Sequence, residues 1–155
     1  MLHPMSTEKF PTTTLEPGDR ERWAQLWHAY LTFYETELPD DTYEATWSRI
    51  IDPNGAIHAL GVRDHDGRLV GITHFFTHAH AWSRAEACYL QDLFVDDAFR
   101  GQGYARALIN GVAAAARLRN CCSLYWITHE TNATARRLYD TLAKNTGFIR
   151  YDFAL

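Results

Sequence analysis

The chain has 155 residues, 46% hydrophobic and 22% charged, the profile of one soluble globular domain over residues 1–155 with enough apolar surface to bury a core. A net charge of −4 with no basic face or stripe argues against a nucleic-acid partner and suits a cationic substrate better. No apolar run nears membrane-spanning length and no signal-peptide pattern is present, so a cytoplasmic protein with no membrane partner is expected.

Met1 to Thr14 is polar and punctuated by proline, with room for a short strand around Phe10 to Leu15 and a mobile start over about residues 1–9. Pro17-Gly18-Asp19 opens a helix, with Asp19 as its expected N-cap. Trp23, Leu26, Trp27, Tyr30 and Tyr34 fall on one face of that helix, and an aromatic stripe of this kind normally faces a core. A second helix follows Pro39, with Asp41 and Glu44 spaced as a capping box, and stops before Pro53. Ala56 to Arg63 and Arg68 to His78 read as two strands joined by the hairpin turn Asp64-His-Asp-Gly67.

In a regular strand Val70, Ile72, His74, Phe76, His78 and His80 would share one face. Three histidines there invite a metal reading, yet no carboxylate or cysteine has an obvious place to complete a site, so no metal is expected. They are packed or partner-bonded histidines, or one of them handles a proton. Cys88, Cys121 and Cys122 lack zinc-like spacing and read as buried apolar thiols.

Cys88 to Val95 is strand-like, and Gly103 to Arg117 is helical, with Ala105, Leu108, Ile109, Val112 and Ala116 on one stripe. Between them sits Arg100-Gly101-Gln102-Gly103-Tyr104-Ala105. Glycines let successive amides turn outward together, and a helix start adds unpaired N–H groups and a positive dipole end. The result is either a plain tight turn or a cradle for a phosphate or pyrophosphate. It is not a P-loop, because no Gly-Lys-Ser/Thr follows, and the three-glycine dinucleotide fingerprint is incomplete. Ser123 to Thr128 then reads as a strand, Asn132 to Lys144 as a helix with Ala135, Leu138, Tyr139 and Leu142 inward, and Gly147 to Tyr151 as the start of a final strand.

Three stretches in this order carry a resemblance. Arg100-Gly-Gln-Gly-Tyr-Ala105 resembles the phosphate-binding signature of the GNAT N-acetyltransferases, Tyr89-Leu-Gln-Asp-Leu-Phe-Val95 the strand leading into it, and Asn132-x6-Tyr139 with Gly147-Phe148 the block that follows. The strand is closest to the polyamine and small-amine branch. The resemblance implies an α/β fold with a mixed, mostly antiparallel central sheet flanked by helices on both faces. It implies acetyl-CoA as the donor, with its pyrophosphate on Arg100, Gly101, Gln102, Gly103, Tyr104 and Ala105. The backbones of Leu93, Phe94 and Val95 would pair with the pantetheine arm, with an N–H near Leu93 freed by a bulge to stabilise an oxyanion. Asn132 would bind the cofactor arm, and Tyr139 would protonate the departing thiolate. Tyr30 and Tyr34 border the place where the acceptor pocket is expected.

One position departs from that branch: Gln91 stands where a glutamate is usual, and an amide cannot accept a proton. His78, then His74, are the replacement bases expected from the strand beside it; Asp92 could supply the base as well, or serve by attracting the ammonium, and the alternative is that bulk water removes the proton and both histidines merely pack. The expected activity is acetyl transfer by direct attack of a small-molecule primary amine, a polyamine or amino acid among them. The alternatives are acetylation of a protein lysine or N-terminus, and a non-catalytic acyl-CoA-binding regulatory module. A homodimer is expected, because the chain stops at Leu155 with room for one strand where the family commonly has two.

Overall fold

The computed structural model describes residues 9–155; the expected mobile start falls largely on residues 1–8, outside the described residues. Five strands, β1 (Thr12–Thr13), β2 (His58–Arg63), β3 (Leu69–His78), β4 (Ala87–Val95) and β5 (Ser123–Tyr125), form one sheet in sequence order. All neighbours are antiparallel except β4 and β5, which run parallel. Helices α1 (Arg20–Phe33) and α2 (Asp40–Ile51) cover one face. The other face is covered by α3 (Tyr104–Leu118), with α4 (Ala133–Leu142) beside it. This is the expected mixed, mostly antiparallel α/β sandwich.

The apolar stripes account for the layers. Trp23, Leu26 and Trp27 of α1 pack with Trp47, Ile72 and Phe94, while Leu108 and Val112 of α3 are fully buried on the opposite face. Burying a side chain of this size contributes about 1.5–3 kcal/mol, so the helices are held by packing rather than by their caps.

The expected caps have other work. Asp19 accepts from Arg63 through both carboxylate oxygens (2.8 Å each) and from the Glu16 N–H, and caps no helix α1 donor with its side chain. Glu44 forms no capping box: α2 starts at Asp40 with Pro39 as its N-cap, two residues before the expected cap at Asp41, and Glu44 pairs with Arg20. In both cases a distant arginine outcompetes a local backbone donor, as a charge-assisted bond is stronger than a neutral one.

The six-residue alternating face on β3 does not form. Val70 is an extra residue opposite Val62 and Arg63, and it packs with Tyr104 and Leu108 while Ile72 packs with Trp23. His80 lies in the turn after β3. Among the described residues no three His, Cys, Asp or Glu side chains cluster to hold a metal, and no helix is long and apolar enough to cross a membrane. Cys88 is buried, and burial pushes its thiol up to about 11; Cys122 departs from the buried expectation and is exposed.

The expected final strand is also absent. No strand follows β5 among the described residues, β5 stops at Tyr125, and Ala143 to Leu155 is exposed.

Asp96, at the end of β4, is tied to α1 by Arg22, which also donates to the Leu69 carbonyl (3.0 Å). Burial raises the Asp96 carboxyl, but the Arg22 and Ala98 hydrogen bonds outweigh it and hold the group below its usual value. A depressed carboxyl stabilises the fold above its unfolded pKa of about 3.9, and that contribution is lost as pH falls through the folded value. Asp96→Asn should therefore lower Tm at pH 7 and flatten the acid side of the Tm profile below about pH 4. An acid limb identical to the wild type would remove Asp96 from the acid sensitivity.

Candidate active site

The functional residues gather where β4 and β5 part. The two strands pair only over Ala87–Tyr89 and Ser123–Tyr125, so the β4 edge from Leu90 onward is free of β5. Gln91 is the extra residue of a bulge: His74 lies opposite Asp92 and Phe75 opposite Leu90, with nothing opposite Gln91. The Asp96 N–H donates across to the Val70 carbonyl (2.8 Å). Because N–H directions alternate along a strand, Leu93 and Val95 direct theirs to the free edge. That edge is open to an extended partner, as the readings of Leu93, Phe94 and Val95 require; the Phe94 ring itself is buried in the core.

The chain leaves β4 through a short 3₁₀ turn at Asp97–Phe99 and enters the glycine turn. Gly101 (φ 73°) and Gly103 (φ 101°) both hold left-handed backbone, a conformation that side chains disfavour. The first helical hydrogen bond is Ala107 N–H to the Gly103 carbonyl (3.1 Å), so the N–H groups of residues 101–106 have no partner among the described residues. No atom lies within 4 Å of the place a Cβ on Gly101 would occupy. Unpaired donors at a helix start, facing open space, fit a pyrophosphate. Arg100 sits at the rim, paired with Asp97 (2.8 Å) and over the Phe94 ring, and Gln102 is exposed. Tyr104 can contribute only backbone, because its ring is buried and stacked on Phe10 (4.1 Å between centroids). Ala105 is half-buried at the helix start.

On the α1 face, Asp92 is the hub. His74 is buried, and its Nδ1 lies 2.8 Å from Asp92 Oδ2. The Trp23 indole N–H donates to His74 Nε2 (2.9 Å). An indole can only donate, so Nε2 accepts and the ring proton sits on Nδ1, donated to Asp92. The Tyr30 hydroxyl faces the same carboxylate; burial first, then the Asp92 charge and its hydrogen bond, raise that phenol far above its ordinary value. No Lys or Arg pairs with Asp92 among the described residues. Tyr34 packs against Tyr30 (5.0 Å) and close to Tyr139. Burial, with Tyr34 beside it, raises the Tyr139 phenol, so Tyr139 stays protonated at neutral pH. Its ring meets Trp126 edge-on (5.4 Å). Asn132 caps α4, its side chain accepting from the Ala135 N–H, and lines a cleft of about 450 Å³ with Phe33, Tyr34, Glu35 and His129.

The structure thus brings together Tyr30, Tyr34, His74, Asp92, Leu93 and Tyr139. It corrects the place of His78, which pairs with Ala87, four residues along β3 from His74 and away from Gln91 and Asp92. His78 donates from Nδ1 to the Ala79 carbonyl and accepts at Nε2 from the Tyr125 hydroxyl (2.8 Å each). It also corrects the manner of His74: with both ring nitrogens engaged, it orients Asp92 and has no free lone pair for an amine proton. Trp23, read only as core from its stripe, proved to be the residue fixing that tautomer. Its partner lies 51 residues away, a pairing no local pattern signals.

The match to a known family is direct: residues 23–143 fit the model of the Acetyltransferase (GNAT) family. The chain belongs to this family. It is an N-acetyltransferase, of a family that uses acetyl-CoA. It is 31% identical over 148 residues to the D-amino-acid N-acetyltransferase HPA3 of Saccharomyces cerevisiae (strain ATCC 204508 / S288c), covering 95% of this chain and 92% of the relative. Two solved structures share the fold. The ribosomal-protein-alanine N-acetyltransferase of Brucella melitensis biovar Abortus 2308 has a TM-score of 0.76 at 24% identity, over 94% of this chain and 99% of that one. AAC(6')-Iy, in complex with the bisubstrate analogue CoA-S-monomethyl-acetylneamine, has a TM-score of 0.80 at 16% identity, over 96% and 99%.

Proposed function

We propose that this acetyltransferase moves the acetyl group of acetyl-CoA to the primary amine of a small molecule that carries an ammonium group, with an amino acid favoured over a polyamine. One observation carries the reading: a half-buried carboxylate, Asp92, held by His74 and Tyr30 and unpaired with Lys or Arg among the described residues, beside the free edge of β4. A carboxylate so placed is a ready anchor for an ammonium group. The D-amino-acid activity of the 31% identical relative supports the same class of acceptor.

The residues divide the work. Acetyl-CoA, when bound, supplies the activated acetyl group. The N–H groups of residues 101–106 hold its pyrophosphate, and the free N–H of Leu93 donates to the carbonyl oxygen as negative charge grows there, a contribution of about 3 kcal/mol for such donors. Asp92 holds the acceptor amine at the β4 edge. Only the neutral amine can attack, and with a pKa of about 10 it must shed its proton to water. Tyr139 hands its proton to the leaving sulfur as the C–S bond breaks, and the proton that the newly bonded nitrogen sheds restores the phenol, so no net proton is gained or lost in the transfer.

Thiol release from acetyl-CoA measured across D- and L-amino acids, polyamines and lysine peptides tests the reading. Turnover with peptides alone would point to a protein acetyltransferase; acetyl-CoA binding without turnover on any amine would point to a binding module. Asp92→Asn should raise the acceptor KM about 10–100-fold, the cost of a hydrogen bond to a charged group, and leave acetyl-CoA affinity unchanged. An unchanged acceptor KM would take Asp92 out of acceptor binding. kcat/KM should climb with pH toward the amine's own pKa with no limb near 6.5, and His78→Ala should keep that profile. A limb near 6.5 that vanishes in His78→Ala would restore the histidine as base.

A further inference from the structure

His74 is buried and titratable, yet it neither binds acetyl-CoA nor carries a proton in the transfer. Both ring nitrogens are engaged: Nδ1 donates to Asp92 Oδ2 (2.8 Å), and Nε2 accepts from the Trp23 indole N–H (2.9 Å). The second of these bonds decides more than the tautomer. To take another proton, Nε2 would have to turn its own N–H against an indole that can only donate. Two donors facing each other in a core are both left unsatisfied. Water is not at hand to relieve them, since Trp23 is 1% and His74 2% exposed.

The groups that face this pair from the packed elements are uncharged near neutral pH. From α1 come Trp27, whose ring meets the imidazole edge-on (5.7 Å), and the phenols of Tyr30 and Tyr34. From α2 come Tyr43 and Trp47, packed against Trp23 (6.2 and 5.0 Å). Tyr89 faces Asp92 from β4, and β2 offers only Ala59 opposite His74. Burial raises all four phenols, so they stay protonated through mildly alkaline pH. Beyond them, Asp40 and the exposed His28 act on Tyr43, and Arg150 acts on Tyr89, with Tyr125 and His78 behind it. Among the described residues Asp92 is the charge that His74 touches, and the state of the imidazole sets how much of that charge is left.

We infer that Trp23 is a positioning residue for the acceptor anchor. By occupying Nε2 it keeps His74 a neutral donor, and Asp92 keeps its full negative charge for the acceptor's ammonium at pH values where an ordinary histidine is charged. Without the indole, a proton at Nε2 turns the contact into an imidazolium–carboxylate ion pair. The carboxylate is then neutralised by its own neighbour, and an ammonium must compete with that neighbour for the same oxygens. The sign follows: the anchor is intact while the ring is neutral and is lost as falling pH charges it. An ordinary histidine titrates near 6.5, so one unit lower about nine in ten unlocked rings carry the proton. The consequence for acceptor binding rests on the acetyl-transfer reading; the lock on the imidazole does not.

Trp23→Phe removes the indole N–H, keeps a ring in the core, and admits a water that can accept from Nε2 as readily as it donates. Trp27→Phe is the matched control. Trp27 is buried, stacks on Trp23 (5.2 Å) and packs on the same imidazole, but its N–H has no hydrogen-bond partner among the described residues. Isotope-edited NMR of the histidine nitrogens should show His74 neutral, with its proton on Nδ1, from about pH 8 to about 5.5 in the wild type and in Trp27→Phe. In Trp23→Phe it should gain a second proton within that range. The wild-type spectrum decides even where a variant fails to fold: an imidazolium within that range, or a lone proton on Nε2, overturns the inference. So does a folded Trp23→Phe whose imidazole stays neutral. Between about pH 7.5 and about 5.5, the KM for the best amine of the thiol-release panel should stay level in the wild type and in Trp27→Phe, and rise about tenfold in Trp23→Phe. That rise should persist in Trp23→Phe, His78→Ala and vanish in Trp23→Phe, His74→Asn, whose amide can donate to Asp92 but cannot charge. A level KM in Trp23→Phe, or a rise matched by Trp27→Phe, overturns the role at the anchor. No turnover with any amine in the wild type would sink the acetyl-transfer reading, and the nitrogen spectra would still decide the lock.

Discussion

Acetyl-CoA affinity should fall at least about a hundredfold when Gly101 and Gly103 are both replaced by valine. The two positions hold φ of 73° and 101°, where a β-branched residue is a conformational outlier costing about 1–2 kcal/mol each. The turn would relieve that strain by rotating its peptides, and rotation scatters the unpaired N–H groups of residues 101–106 that the pyrophosphate needs to meet together. A side chain on Gly101 would also stand in the open space above the cradle. Hydrogen bonds to a charged group are worth about 1.5–3 kcal/mol each, so losing two accounts for a hundredfold or more. The strain is smaller than the usual 5–15 kcal/mol of a folded domain, and circular dichroism should report a native fold. Calorimetry giving wild-type affinity in a folded variant would reduce the turn to a connection between β4 and α3.

The glycine turn between β4 and α3 was legible in the sequence because every part of it is local. Two glycines, a helix stripe and the strand before them lie within thirty residues, and α3 formed as its Leu108–Val112 pattern required. The acceptor side was less legible, because it depends on register. A single extra residue at Gln91 decides which β3 side chain meets Asp92, and nothing in the string Tyr89 to Val95 marks that residue as the bulge. It shifts the partner from a sequence guess at His78 to His74, and Trp23, from another layer, then fixes the imidazole's proton. The caps failed for the same reason: Asp19 and Glu44 have correct local spacing, but Arg63 and Arg20 arrive from elsewhere. The last strand is an instructive error. Gly147 to Tyr151 reads as the start of a final strand, yet a strand needs a neighbour, and no described strand of this chain supplies one.

Tyr139→Phe should lower kcat by about 10²–10⁴-fold, the usual worth of a positioned general acid, and leave acetyl-CoA affinity within about twofold. The lower end of that range is the sharper expectation, since a thiol of pKa about 8.5 leaves with less help than an amine or alkoxide would need. The substitution removes one hydroxyl and keeps the ring, so the edge-on contact with Trp126 (5.4 Å) and the packing of α4 remain. The direction of the phenol's shift adds a second reading. Burial and the neighbouring Tyr34 raise it, so the acid form persists past pH 10 and the wild-type kcat should hold level through neutral and mildly alkaline pH. A depressed phenol would instead give a falling limb at lower pH, and that limb would be absent from the phenylalanine variant. Single-turnover measurements separate chemistry from product release, and the defect should reside in the chemical step. A variant with wild-type single-turnover rate would make Tyr139 a packing residue and return the thiolate's proton to solvent.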